Sequence, residues 1–114
     1  MTIQKQDWGE YTRYLIIHEY GSVCLDLYPK KQESFGGTAY IWGLFVSPKD
    51  RRKGIGKILL EEAEYYAKRE GHKSVVLEWE LKNTPLAICD WYLRSGYFMI
   101  GHYRDEQYTL EKKL

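Results

Sequence analysis

The sequence is poor in the residues that build covalent or metal-held frameworks. Its 114 residues include two cysteines, three histidines, three prolines and two methionines. Cys24 and Cys89 stand far apart in apolar surroundings and no Cys-x-x-Cys occurs. That excludes a disulfide scaffold and points to buried free thiols in a reducing cytoplasm. His18, His72 and His102 are isolated, with no ligand spacing to cysteine or carboxylate, so no metal is expected. An excess of one charge is missing as well. Seventeen basic against sixteen acidic residues leave a net charge of +1. No global field draws this chain to nucleic acid or to a membrane surface. No apolar run reaches membrane-spanning length. Met1 to Trp8 mixes Lys5 and Asp7 without an apolar stretch, so no signal peptide is expected. Internal repeats and low-complexity segments are absent from the sequence.

Aromatic residues are abundant. They make up 16% of the chain, with eleven tyrosines and four tryptophans. Such side chains fill cores and strand faces, or wall a ligand cleft. The length suits one domain over residues 1–114, large enough to bury a core. Tyr11 to Tyr20 alternates as a strand, Gly21-Ser22 reads as a tight turn, and Val23 to Tyr28 alternates again before Pro29. Lys30 to Gly37 is a polar loop. Thr38 to Val46 is a strand interrupted by Gly43, the mark of a bulge or a close backbone approach. Gly54 to Glu70 is a helix with Ile55, Ile58, Leu59, Ala63, Tyr66 and Ala67 on one face. Glu64 and Lys68 form an i,i+4 pair on the other face, and Gly71 ends the helix. Ser74 to Trp79 is a buried strand. Thr84-Pro85 opens a second helix that Gly96 closes, and Tyr97–Tyr103 with Gln107–Leu114 forms a hairpin. One strand–helix–strand crossover among antiparallel strands implies an α/β (α+β) fold, a mixed sheet with helices on its faces.

The densest chemistry lies in the basic stretch from Lys49 to Lys57. A strand ends in Leu44-Phe45-Val46, and Arg51-Arg52-Lys53-Gly54-Ile55-Gly56-Lys57 then opens the first helix. A helix start offers unpaired N–H groups and a positive dipole end. Glycines allow a phosphate to approach, and basic side chains add charge. The dinucleotide fingerprint fails because Leu59 stands where its third glycine belongs, and the P-loop fails because Ile58 follows Gly56-Lys57. A basic turn before an ordinary helix is the bland alternative. Arg51-x-x-Gly54-x-Gly56 resembles the acetyl-CoA loop of the GNAT acyltransferases, with Pro48 before it and Leu59-Leu60 after it.

A second stretch extends the resemblance, which is strongest from Ile41 to Gly101. Leu77-x-Trp79 precedes Asn83, Ala87 lies in the second helix, and Tyr92 leads to Gly96-Tyr97. The interval from Asn83 to Tyr92 is longer than is usual in that family. The usual first strand and two following helices are not legible. The resemblance implies a GNAT-like, mostly antiparallel sheet with two main helices. It further implies acetyl-CoA as acyl donor, its pyrophosphate on the Arg51–Lys57 amides and its pantetheine along Leu44–Val46. Asn83 joins this cofactor-binding set. A backbone N–H near Phe45 or Val46 would serve the oxyanion, and Tyr92 would protonate the leaving thiolate. Glu78 and Glu80, on the strand face opposite Trp79, are the candidate bases; ordinary solvated carboxylates are the bland reading. The expected function is N-acetyl transfer to a primary amine by direct attack, with neither nucleic acid nor membrane as partner. A homodimer is expected from spare strand edges and a stripped acceptor side. A non-catalytic acyl-CoA-binding module and a small nucleic-acid-binding protein are the alternatives.

Overall fold

A computed structural model describes residues 1–80, 85–103 and 107–114, with residues 102 and 103 by their backbone alone. Four strands come first: β1 (Thr2–Asp7), β2 (Thr12–His18), β3 (Gly21–Gln32) and β4 (Gly37–Val46). A short 3-10 turn, Pro48–Asp50, leads to α1 (Ile55–Arg69) and β5 (Ser74–Glu80). α2 (Leu86–Arg94), β6 (Phe98–Tyr103) and β7 (Gln107–Lys113) complete the order. The strands form one seven-stranded sheet ordered β1-β2-β3-β4-β5-β7-β6. Only β4 and β5 run parallel; α1 is the crossover that a parallel pair requires. The expected mixed fold with two main helices is therefore present.

The core lies between α1 and one face of this sheet. Alternate residues point to opposite faces, so Ile16, Leu25, Ile41, Val75 and Leu77 meet Leu59, Leu60 and Ala63 of α1. Each fully buried leucine of this layer contributes about 1.5–3 kcal/mol relative to exposure. α2 adds Cys89 to the same cluster, with Trp91 and Tyr92 packed against it. Helices on both faces were the expectation; here the opposite face has no helix over it among the described residues. It carries instead a band of polar and aromatic side chains. Arg13 binds Asp26 through two bonds, Nε to Oδ1 at 2.7 Å and Nη2 to Oδ2 at 3.0 Å. Trp42 lies under the Arg13 guanidinium at 4.7 Å, and Tyr11 stacks on Tyr28.

Several local expectations hold. Ser22 pairs with Phe45 and Cys24 with Trp42, so β4 carries an extra residue at the Gly43 bulge, where φ is +67°. Gly71 follows α1 at φ +93°, and β6 and β7 pair antiparallel. Others fail for reasons of tertiary context. β1 was illegible because only Ile3 and Gln6 are even partly buried. An edge strand hydrogen-bonded on one side needs no apolar face. β3 runs past Pro29 to Gln32, because its ladder to β4 is broken between Leu27 and Gln32 and no N–H is required there. The turn falls on Glu19-Tyr20, leaving Gly21 inside β3. A Cβ on Gly21 would sit 2.3 Å from the Phe45 carbonyl oxygen, so this glycine permits a close approach. Pro85 is the N-cap of α2 rather than its first residue. On α1, Leu60 is buried and Ile58 is 44% exposed. Glu64 is no surface partner of Lys68. It is buried, accepting from Tyr97 Oη at 2.8 Å and from Lys112 Nζ at 3.0 Å.

His72 gives a pH signature. Its Nδ1 lies 2.8 Å from Thr38 Oγ1, and burial lowers its pKa below the ordinary 6.5, against an opposing pull from Glu70. Below pH 6.5 the unfolded chain then binds more protons than the folded one, so stability falls as pH falls through that value. Urea midpoints at pH 7.5 and 5.5 are expected to separate more in the wild type than in His72→Gln. Equal separations would assign the loss to other groups.

Candidate active site

The parallel strands β4 and β5 share one registered pair, Tyr40 with Val76. Beyond it, residues 41–46 and 77–80 part. From Ile41 onward β4 stays paired with β3 on one side and has no registered strand partner on the other among the described residues. The Gly43 bulge falls on this stretch. Leu44 and Val46 turn toward the core, whereas Phe45 is 53% exposed. Such an edge offers N–H and C=O groups to an extended ligand.

The glycine loop stands at the end of that edge. Ser47 N–H bonds the Tyr20 carbonyl, and Asp50 N–H bonds Ser47, turning the chain sharply after β4. Arg52 and Gly54 both adopt left-handed backbone, φ +66° and +81°. Gly54 is the N-cap of α1 and brings no side-chain cap. The first helical bond is Ile58 N–H to the Gly54 carbonyl at 3.1 Å. The N–H groups of Ile55, Gly56 and Lys57 thus have no intrahelical acceptor. Ile55 buries its side chain and anchors the helix, while Lys57 is exposed. A Cβ on Gly56 would meet Trp91 at 3.5 Å and Val46 at 3.8 Å, ordinary contact, so this glycine joins the loop, β4 and α2 in one packed unit.

The loop cations divide by role. Arg51 Nε donates to the Val46 carbonyl at 3.2 Å, holding the loop onto the end of β4. Lys53 pairs with Asp50 at 3.0 Å and lies 6.0 Å from the Tyr20 ring. Arg52 and Lys57 are exposed. Asp50 is buried, and its Oδ2 has no hydrogen-bond partner among the described residues.

Tyr92 lies on α2, the helix that packs beside the loop. Trp91, its neighbour, packs on Gly56, and the Tyr92 ring lies 5.2 Å from Trp91 and 5.9 Å from Tyr97. Burial raises the Tyr92 pKa, so the phenol remains a protonated donor at neutral pH. On the opposite face Glu78 accepts from Tyr40 Oη through Oε1 and from Gln107 Nε2 at 2.7 Å through Oε2. The Tyr40–Glu78 bond spans β4 and β5 beside the last registered pair. Burial, then the Glu78 carboxylate, pushes the Tyr40 hydroxyl well above the usual tyrosine range. Glu80 is exposed at the end of β5. Asn83 lies outside the described residues. The fold thus gathers Leu44–Val46, the Arg51–Lys57 loop and α2 at one end of the sheet, with Glu78 and Glu80 on the other face of the parting strands. Trp91, Asp50, Tyr40 and Gln107 were missed. Their contacts are long-range or made through backbone turns, and only the adjacency of Trp91 to Tyr92 offered a signal.

Comparison with known proteins agrees with this geometry. An aminoglycoside N(6')-acetyltransferase type 1 of Klebsiella aerogenes is 28% identical over 85 residues, 74% of this chain and 55% of the relative. The chain thus spans just over half the length of that curated relative. An acetyltransferase structure from Bacillus cereus superposes with a TM-score of 0.68 at 25% identity, covering 92% of this chain and 74% of that one. The PaiA N-acetyltransferase of Thermoplasma acidophilum, solved in complex with coenzyme A, gives 0.68 at 21% identity, covering 91% and 60%. The family model described as the acetyltransferase (GNAT) family matches residues 4–97, and this chain belongs to that family.

Proposed function

We propose that this protein is an acetyl-CoA-dependent N-acetyltransferase acting on a primary amine. One observation carries the reading: a β4 edge with no registered partner past Tyr40 among the described residues leads, through the glycine loop, to an uncapped helix start whose amides have no intrahelical acceptor. Those amides, with Arg52 and Lys57, suit a pyrophosphate, and the edge from Leu44 to Val46 suits the pantetheine amides. A backbone N–H at Phe45 or Val46 serves as oxyanion donor. The amine attacks the thioester carbonyl, the thiolate leaves, and the Tyr92 hydroxyl returns a proton to it. Glu78, both of whose oxygens accept hydrogen bonds, and Glu80, exposed at the end of β5, are the two candidate bases. Similarity to an aminoglycoside acetyltransferase makes an aminoglycoside the first acceptor to try. Its two free cysteines suit a cytoplasmic enzyme, and a homodimer belongs to the same reading.

Thermal unfolding with acetyl-CoA, against ATP as a phosphate control, tests the donor site. Ligand at about a hundred times its Kd adds about 2.7 kcal/mol. For a chain of this size that raises Tm by about 10 °C. The expected result is such a rise with acetyl-CoA and not with ATP. No rise with either would remove the reading.

A further inference from the structure

Tyr92 sits on a helix of only nine residues, of which Cys89 alone is buried. A helix this short depends on tertiary support. Its C-terminal turn supplies some of it. Gly96, at φ +100°, donates its N–H to the Leu93 carbonyl at 3.2 Å, and Tyr97 donates its N–H to the Tyr92 carbonyl at 3.1 Å. This pair of bonds is a glycine cap, which brings the second residue beyond the helix back against its last turn. Tyr97 is that residue, and its ring meets the Tyr92 ring edge-on at 5.9 Å. Tyr97 thus holds Tyr92 both by backbone and by ring.

Polar groups hold Tyr97 in turn. It is 3% exposed, and its Oη donates to Glu64 Oε2 at 2.8 Å. Lys112 Nζ donates to Glu64 Oε1 at 3.0 Å and lies 5.8 Å from the Tyr97 ring. The Lys112 stem also lies along the cap, since a Cβ on Gly96 would stand 3.2 Å from Lys112 Cε. Glu64 comes from α1 and Lys112 from β7, so three elements converge behind Tyr92. A phenylalanine at position 97 would fill the same space, and a buried ion pair adds little stability over apolar side chains. What the hydroxyl–carboxylate bond adds is direction, because it fixes the rotation and depth of the ring on which Tyr92 rests. We propose that Glu64, Tyr97 and Lys112 are positioning residues that hold the Tyr92 phenol in place for proton transfer; the proposal rests on the reading of Tyr92 as the proton donor. They act through Tyr92, and a misplacement of about 1 Å costs up to about a hundredfold in rate.

A double-mutant cycle on kcat, followed as thiol release from acetyl-CoA with an aminoglycoside acceptor, reads this. Tyr97→Phe keeps the ring and deletes its hydroxyl. It is expected to lower kcat at least about tenfold, with the calorimetric Kd for acetyl-CoA unchanged. In a Tyr92→Phe background the same substitution is expected to change kcat by less than about twofold, because no phenol is left to position. Should Tyr97→Phe fail to fold, the triple change Glu64→Met, Tyr97→Phe and Lys112→Met replaces the whole network by apolar side chains. It is expected to keep Tm near the wild type and to show the same two effects on kcat. Isotope-labelled tyrosine adds an NMR readout that needs no acceptor. The Tyr92 ring, assigned by its absence from the Tyr92→Phe spectrum, is expected to flip slowly in the wild type and faster in either variant. The proposal is overturned by wild-type kcat in the folded variants, by an equal fall in kcat in both backgrounds, or by an unchanged flip rate. Full turnover in Tyr92→Phe, or no turnover in the wild type, removes the proton donor and this role with it. An inactive Tyr92→Phe beside a fully active Tyr97→Phe removes the positioning role alone.

Discussion

Replacing Tyr92 with phenylalanine is expected to lower kcat by about 10²–10⁴-fold, the range for removing a general acid. The substitution deletes one oxygen and keeps the ring against Trp91 and Tyr97. Among the described residues the Tyr92 hydroxyl has no hydrogen-bond partner to orphan, so Tm is expected to stay within a few degrees. Affinity for acetyl-CoA is expected to persist, because the amides and the β4 edge proposed to hold it are untouched. The measurement is steady-state thiol release with an aminoglycoside acceptor, alongside calorimetric acetyl-CoA binding. Full turnover in the variant would remove Tyr92 from the chemistry. A wild type that binds acetyl-CoA without turning over any of a broad panel of amines would favour the acyl-CoA-binding module.

Arg13→Ala is expected to be among the most destabilising changes at a residue outside the core. Asp26 is 5% exposed and holds Arg13 through both oxygens. Losing the cation leaves a buried carboxylate without its partner, which costs about 3 kcal/mol or more. Tm would then fall by about 12 °C. Asp26 also raises the Arg13 pKa, against burial, so the guanidinium stays charged at any working pH. The double change Arg13→Met with Asp26→Leu is expected to recover most of the loss, since an apolar pair of similar volume replaces a buried ion pair at little cost. Urea titration of the three proteins decides the matter. A loss below about 1 kcal/mol in Arg13→Ala would mean that solvent reaches Asp26 freely.

The glycine loop and the strand that leads into it were legible because their signals are local. A glycine that takes positive φ, a strand that ends two residues before Pro48 and an amphipathic run after Gly56 act within a few residues of one another. The resemblance to the family rests on those same short stretches. The helix that carries Tyr92 was legible through its spacing to Gly96, but the reason that helix stands beside the loop was not. That reason is the packing of Trp91 on Gly56, a contact between residues far apart in the chain.

Chain-local pattern settled the crossover β4–α1–β5, the Gly43 bulge, the uncapped start of α1 and the hairpin at the end, since each follows from backbone preference and side-chain period. Tertiary structure alone decided which groups are partnered. β1 exists because β2 offered it an edge, and Glu64 is buried because Tyr97 and Lys112 converge on it. Both oxygens of Glu78 are occupied because strands β4 and β7 flank β5. Hydrogen-bond and charge satisfaction is a property of long-range neighbours, and a sequence pattern carries no record of which neighbours the fold supplies.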